Sequence, residues 1–67
     1  MTKFEEFFGN VLNKHAESVR NDIQTECGIS VQSFRNWKDG VFEPDARWWS
    51  IINGVAEKYG YPKPYTV

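Results

Sequence analysis

Apolar side chains recur along the chain at the three- and four-residue spacing of amphipathic helices, and they mark four helical segments. The first predicted helix spans about residues 2–13, and its apolar stripe consists of Phe4, Phe7, Phe8, Val11 and Leu12. Thr2 and Glu5 have the spacing of a capping box at its start. The polar stretch from Asn13 to Ser18 lacks such a pattern, so we expect it to connect the first helix to the second.

The second predicted helix spans about residues 19–27 and the third about residues 31–38, so only three residues separate them. Their inward positions share a helical spacing and are Val19, Ile23, Cys27, Phe34 and Trp37. Gly28 stands where a helix commonly ends in the left-handed conformation, and Ser30 stands where the next helix needs an N-cap. Two short helices joined this tightly must cross at a steep angle, as in helix-turn-helix units.

The fourth predicted helix spans about residues 45–59, with Asp45 as its N-cap and an apolar stripe of Trp48, Ile52, Val55 and Tyr59. The prolines that follow favour extended geometry over helix. The sequence therefore predicts one all-α domain over residues 1–67, with terminal tails at residues 1–3 and 61–67.

Composition excludes several classes of protein. With 67 residues and 40% hydrophobic content, the chain is one small globular domain whose bulk comes from five Phe, three Tyr and three Trp. A single Cys excludes an internal disulfide, and no apolar run approaches the roughly 20 residues of a membrane span. The N-terminus does not have the pattern of a signal peptide, so we expect a cytoplasmic protein.

The sequence offers no set of residues for catalysis or for holding a cofactor. One His and one Cys cannot supply a three- or four-ligand metal site, and no cluster of carboxylates completes one. There is no nucleophile–base pair and no glycine-rich phosphate loop. We therefore expect no enzymatic activity, no metal, no cofactor and no small-molecule ligand.

The stretch from Gly28 to Pro44 carries the most informative motif. It has the pattern G-x-S-x-x-[ST]-[aromatic or aliphatic]-x-x-W-x-x-G-x-x-x-P, at positions Gly28, Ser30, Ser33, Phe34, Trp37, Gly40 and Pro44. This pattern resembles the lambda-repressor/Cro-like helix-turn-helix family, and with the flanking helices the resemblance covers about residues 4–60. It implies a compact four- to five-helix lambda-repressor-like domain, with the helix-turn-helix at about residues 19–38, that binds double-stranded DNA.

The chain departs from this family at two places. Gln24 stands where the two motif helices nearly touch and where the family usually has Ala or Gly, so its side chain must bend outward or widen the crossing. The loop after Gly40 often carries Lys or Arg in the family, whereas this chain has Val41, Phe42 and Glu43.

The resemblance assigns candidate DNA contacts along the third helix. Its first exposed positions enter the major groove in the family, and here they are Val31, Gln32, Arg35 and Asn36. These residue types can read base edges, because Gln and Asn pair with adenine, Arg pairs with guanine and Val touches the thymine methyl. Candidate contacts to the DNA backbone are Arg20, Ser30, Ser33 and Lys38. The competing interpretation is a solvated polar surface, with Ser30 serving only as N-cap.

Charge argues against strong non-specific DNA binding. The chain has eight Lys and Arg against nine Asp and Glu, and its pI is near 5.7. Between Arg20 and Arg47 there are four cations and five anions. The carboxylates must therefore face away from DNA or weaken its binding, and binding must rely on dimerisation and base contacts.

Aromatic residues near the C-terminus suggest a partner surface. Trp48 and Trp49 are adjacent, so they point about 100° apart on a helix and cannot share one narrow stripe. We expect an exposed apolar patch, used for homodimerisation, formed by Phe42, Trp49, Tyr61 and Tyr65. The alternative is that the aromatic tail folds back over Trp49.

Two functions remain open at this point. The first is a sequence-specific DNA-binding protein, a small bacterial or phage-type transcriptional regulator that acts by occupying the major groove. The alternative is a protein-interaction module that keeps the helix-turn-helix fold and has lost DNA binding, which the acidic balance and the aromatic surplus favour. Fold alone does not decide between them.

Overall fold

The computed structural model describes residues 2–66, which form four α-helices and one 3₁₀ turn and contain no strand. The helices are α1 (Lys3–Gly9), α2 (Asn13–Cys27), α3 (Val31–Lys38) and α4 (Trp49–Lys58), and the 3₁₀ turn (Ala46–Trp48) directly precedes α4. Helix α1 packs on α3, and α2 packs on both α3 and α4. The all-α prediction is confirmed. Within the described range, no helix has the length and apolar character that crossing a membrane requires.

Aromatic side chains at the centre of the core join α1 to α3. The Phe4 ring is fully buried and meets the rings of Phe34 and Trp37 edge-on, with centroids 5.6 Å away in each case. Such pairs stabilise by about 0.5–1.5 kcal/mol beyond the area they bury. Val19, Ile23, Ile52 and Val55 complete this core from α2 and α4.

The predicted boundary between the first two helices is wrong. Helix α1 ends at Gly9, and α2 already begins at Asn13, so the polar stretch 13–18 is helical and does not form a connection. Leu12, which the sequence assigned to the first apolar stripe, is exposed at the N-cap position of α2. The capping interaction at Thr2 is confirmed, because its Oγ1 accepts a hydrogen bond of 3.0 Å from the Glu5 N–H.

The start of the fourth helix also differs from the prediction. Asp45 occupies the N-cap position of the 3₁₀ turn without a side-chain capping bond, and the α-helix itself begins at Trp49. The Trp49 indole instead fixes this corner, because its Nε1–H donates to the carbonyl oxygen of Pro44 at 2.9 Å. Pro44 is itself buried.

The C-terminal tail packs against α4. Asn53 is buried, and its side-chain amide makes two hydrogen bonds to the backbone of Tyr65. The amide nitrogen donates to the Tyr65 carbonyl oxygen at 2.8 Å, and the amide oxygen accepts from the Tyr65 N–H at 3.1 Å. The Tyr65 side chain is therefore held in the core with 3% of its surface exposed.

Candidate nucleic-acid interface

The turn between α2 and α3 has the local geometry that the sequence predicts. Gly28 lies in the left-handed region, with φ 66° and ψ 33°, and its N–H donates to the carbonyl oxygen of Gln24. Ser30 is the N-cap of α3, because its Oγ accepts a hydrogen bond of 3.1 Å from the Ser33 N–H. One helix thus ends and the next begins within three residues.

Helix α3 has a buried face and an exposed face. Phe34 and Trp37 are buried, whereas Val31 is 57% exposed and Gln32 and Arg35 are also exposed. An α-helix with its side chains is about 10–12 Å across, which is close to the width of the major groove of B-DNA. The structure therefore presents three of the four candidate base-contact residues to solvent on one short helix.

Asn36, the fourth candidate base-contact residue, is half-buried and is tied to Gln32. The Gln32 Nε2 donates to Asn36 Oδ1 at 3.1 Å, an i to i+4 contact along α3. This bond leaves the Gln32 carbonyl oxygen and the Asn36 amide nitrogen for other partners. One acceptor and one donor are the groups that an adenine edge requires.

The residues predicted to contact the DNA backbone fall into two kinds. The Ser30 and Ser33 hydroxyls are engaged with each other at 3.2 Å, in addition to the N-cap bond of Ser30. Arg20 and Lys38 are exposed, and Lys38 makes a weak ion pair of 3.9 Å with Asp39. The structure brings Arg20 and Lys38 together with Arg35 around one partly enclosed cavity of about 350 Å³ between α2 and α3.

Three carboxylates of the motif region make hydrogen bonds or ion pairs, and two of them, Glu43 and Asp45, line a cavity with Ser33 of α3. Asp22 accepts hydrogen bonds from the Tyr59 hydroxyl at 2.7 Å and from Lys58 Nζ at 2.9 Å. These two bonds hold the pKa of Asp22 below its ordinary value, and the Tyr59 bond contributes most. Glu43 accepts from the backbone N–H of Lys3 at 3.1 Å. Asp45 likewise pairs with its neighbour Arg47 at 3.7 Å.

The predicted apolar partner patch does not form as one surface. Tyr65 is buried, and the half-buried Trp49 stacks on it with the rings 4.7 Å apart and nearly parallel. Tyr61 is half-buried too, and its hydroxyl accepts from the Leu12 N–H at 3.0 Å. Of the four residues, Phe42 alone is largely exposed, at 59%. The tail folds back over Trp49, which is the alternative that the sequence left open.

His15 belongs to the stretch that the sequence assigned to a connection, and its side chain makes long-range contacts. It lies in α2, is half-buried, and its Nδ1 is 2.7 Å from the Tyr61 hydroxyl. Its ring also lies against the ring of Tyr59, with centroids 5.8 Å apart. These contacts explain why α2 begins earlier than its own periodicity indicates.

The structure adds two residues to the candidate interface, Glu17 and Gln24. Both line the 350 Å³ cavity with Arg20, and the three lie three and four residues apart on one face of α2. That spacing was the available signal, and it was missed because residue 17 was assigned to a connection.

Val41, in the loop after α3, is a further exposed apolar residue beside Phe42.

Comparison of the chain with protein-family models, with curated proteins and with solved structures gives no match. Among residues 2–66, no three His, Cys, Asp or Glu side chains come together as a metal site would require. The interpretation of the interface therefore depends on the geometry of α2, the turn and α3.

Proposed function

We propose that this chain is a sequence-specific DNA-binding protein, a small bacterial or phage-type transcriptional regulator that acts by occupying the major groove. The observation that carries the proposal is the division of α3 into a buried face at Phe34 and Trp37 and an exposed polar face at Gln32 and Arg35. This face directly follows the tight left-handed turn at Gly28.

The proposal includes a lambda-repressor-like arrangement of the four helices. In support of it, the motif positions have the environments that such a corner needs. Ile23 and Cys27 of α2 are buried, Ile29 in the turn packs on the core, and Gly40 after α3 has a φ of 77°. Pro44, the last place of the motif, is buried.

In the proposed mechanism, α3 lies in the major groove and reads base edges from its exposed side. Arg35 pairs with guanine, and the linked Gln32 and Asn36 offer an acceptor and a donor to adenine. Val31 contacts a thymine methyl from the first turn of the helix. Arg20, Ser33 and Lys38 position the helix by contacts to phosphates, and Ser30 acts chiefly as the N-cap.

Electrostatics make this binding sensitive to salt. With Arg20 and Lys38 each neutralising one phosphate per subunit, a dimer neutralises about four, and the logarithm of the binding constant falls with the logarithm of salt with a slope of about −4. Arg20 and Arg35 make no ion pair with any described residue, so both are open to phosphates or bases. The ion pair of Asp22 with Lys58 reduces the repulsion of DNA, whereas Glu43 and Asp45 line a cavity with Ser33 and oppose a phosphate there.

A homodimer completes the proposal, because two copies of α3 must lie one duplex turn apart, about 34 Å, to enter successive major grooves. The Cα extents of one subunit are 24 × 24 × 23 Å, so two subunits in contact can reach this separation once their side chains are added. Val41 and Phe42 are the exposed apolar residues nearest to the end of α3 and are our candidates for the dimer contact.

The second candidate function is a protein-interaction module on the same fold. The observation that favours it is the exposure of Val31, Val41 and Phe42 at both ends of α3, in a chain whose net charge is −1. Exposed apolar residues beside a helix are typical of a protein-binding surface. Such a module would bind a partner through the same helix without any preference for DNA sequence.

Selection of binding sites from random duplex DNA at low salt tests the proposal. We expect enrichment of a palindromic site, and we expect the enrichment to disappear in the double variant Gln32→Ala plus Asn36→Ala. The matched control is Thr25→Ala, an exposed residue of α2 outside the interface, which should select the same site. Absence of enrichment in the wild-type protein would refute sequence-specific binding and favour the interaction module.

Sedimentation tests the dimer separately. The wild-type protein should sediment at twice 7.8 kDa, and Phe42→Glu should convert it to a monomer with unchanged helix content. Trp49→Glu is not a suitable variant, because it would break the stack on Tyr65 that holds the tail. A wild-type monomer at high micromolar concentration would contradict the dimer.

A further inference from the structure

We propose that the cavity between α2 and α3 is a binding site for a phosphate-type oxyanion, and that the side-chain amide of Gln24 turns toward the bound anion as a donor. The cavity has a volume of about 350 Å³ and is open to solvent on one side. The same chemistry is supplied by a phosphate of the DNA backbone or by a free phosphate-bearing ligand. The DNA-backbone form rests on the function proposed above, and in it Arg20 and Lys38 hold the phosphate while Arg35 reads a base. The free-ligand form does not rest on that function and can use all three cations.

Charge is the first observation that points to an anion. Arg20, Arg35 and Lys38 line the cavity, and Glu17 is its single carboxylate. The lining therefore carries a net charge of +2 in a chain whose own net charge is −1. Another surface cavity, of about 570 Å³ along α4, has one lysine and one glutamate in its lining and no excess charge.

The second observation is an unpaired buried donor. Gln24 lines the cavity, and its Nε2 atom is buried without a hydrogen-bond partner among the described residues. A buried donor left without a partner is unfavourable, so native proteins generally supply an acceptor to it. Asn13 and Glu17 also line the cavity and carry acceptor oxygens, but neither makes a hydrogen bond to this nitrogen. Because Nε2 is shielded from solvent, an oxygen of a bound anion supplies an acceptor once the Gln24 amide turns toward the cavity.

These two observations explain the unusual residue at position 24. A small side chain would allow α2 and α3 to approach closely, whereas the longer side chain of Gln24 lines the cavity between them. The guanidinium groups can bind an oxyanion through paired N–H donors, and a hydrogen bond to a charged oxygen is stronger than one to a neutral acceptor. Glu17 limits the affinity, so we expect a dissociation constant on the order of 1 mM for free phosphate.

The first experiment is titration of the full chain with inorganic phosphate, at constant ionic strength set with chloride, followed by NMR. We expect saturable shifts of the Gln24 side-chain amide and of the Arg20 and Arg35 Nε–H signals. Gln24→Met, which keeps the length and removes the donor, should weaken binding by at least about tenfold, and Gln24→Glu should abolish it. Thr25→Met, the exposed neighbour, is the control and should bind as the wild type does.

Thermal unfolding of the same variants shows that they are folded. Gln24→Met should be as stable as the wild type or more stable, because it removes an unsatisfied buried donor. A folded Gln24→Met with unchanged phosphate affinity would overturn the assignment of Gln24. Linear, unsaturable shifts identical to those produced by chloride would overturn the site itself.

Duplex DNA distinguishes the two sources of phosphate. If the site holds a backbone phosphate, Gln24→Met should weaken binding to every sequence by the same factor and leave the sequence preference unchanged. If it holds a free ligand, Gln24→Met should weaken binding of phosphate and leave the affinity for DNA unchanged. Binding of phosphate without binding of DNA would support the site and refute the proposed function. Absence of both kinds of binding would refute the site and the proposed function together.

Discussion

Replacement of Gly28 by alanine tests the turn on which the candidate interface depends. Gly28 has a φ of 66°, in the left-handed region that residues with a Cβ atom adopt at a cost. A Cβ atom built at this position meets no heavy atom within 4 Å. The effect of Gly28→Ala is therefore purely conformational and contains no steric clash.

The magnitude follows from two opposing effects. The left-handed conformation costs a non-glycine residue about 1–2 kcal/mol. Alanine also loses less conformational entropy on folding than glycine, which returns about 0.4–1 kcal/mol. We expect a net destabilisation of about 1 kcal/mol, which lowers the Tm of a domain of this size by about 4–8 °C.

Thermal unfolding followed by circular dichroism measures this effect, and Gly54→Ala is the matched control. Gly54 lies inside α4 with an ordinary φ and open space around its Cα, so alanine should stabilise the protein there by about 0.5–1 kcal/mol. Gly28→Asn should cost less than Gly28→Ala, because Asn tolerates the left-handed region. A Gly28→Ala protein as stable as the wild type, beside a stabilised Gly54→Ala, would refute the left-handed turn.

Three further predictions concern the tail, the α2–α4 contact and the thiol. Asn53→Ala should lower the free energy of unfolding in urea by about 1–3 kcal/mol, because it leaves the buried backbone N–H and C=O of Tyr65 unpaired; an unchanged unfolding midpoint would contradict this. Asp22 has a folded-state pKa below its ordinary 3.8, so its stabilising effect is present above that value and is lost as the pH falls through the folded-state pKa. Asp22→Asn should reduce the loss of stability at acid pH, measured as the free energy of unfolding in urea at a series of pH values. An unaltered pH profile would exclude the contact with Tyr59 in solution. Burial raises the pKa of Cys27 to about 11, so a thiol reagent at about pH 8 should react far more slowly with the native than with the unfolded protein, and equal rates would show that the thiol is exposed.

Local signals allowed α3 and its turn to be predicted from the sequence. The bounds of α3, the left-handed Gly28 and the N-cap Ser30 are all as expected. Each of them depends on residues within four positions of one another, where the steric freedom of glycine and the reach of a serine hydroxyl suffice.

Long-range contacts explain what the sequence could not show. The first turn of α2 is polar and is stabilised by packing of His15 against Tyr59 and Tyr61, more than 40 residues away in the chain. The burial of Tyr65 depends on Asn53, a polar residue on the buried side of α4. No periodicity within one element reveals such partners.

The candidate site shows the same division between local and long-range information. Exposure of Val31, Gln32 and Arg35 followed from helical spacing within α3 alone. The cavity that joins Arg35 to Arg20 needed the relative placement of two helices, and the early start of α2 brought Glu17 into it.

Mapping of a DNA complex by NMR tests the central claim most directly, because non-specific binding at low salt should already use the reading face. Titration of the labelled protein with a short duplex should shift the backbone amides of residues 30–38 and of Arg20 most strongly. The exposed outer side of α4, at Ser50 and Gly54, should stay unaffected. Absence of shifts at low salt, or shifts confined to a surface that excludes α3, would contradict the proposal that this helix binds DNA.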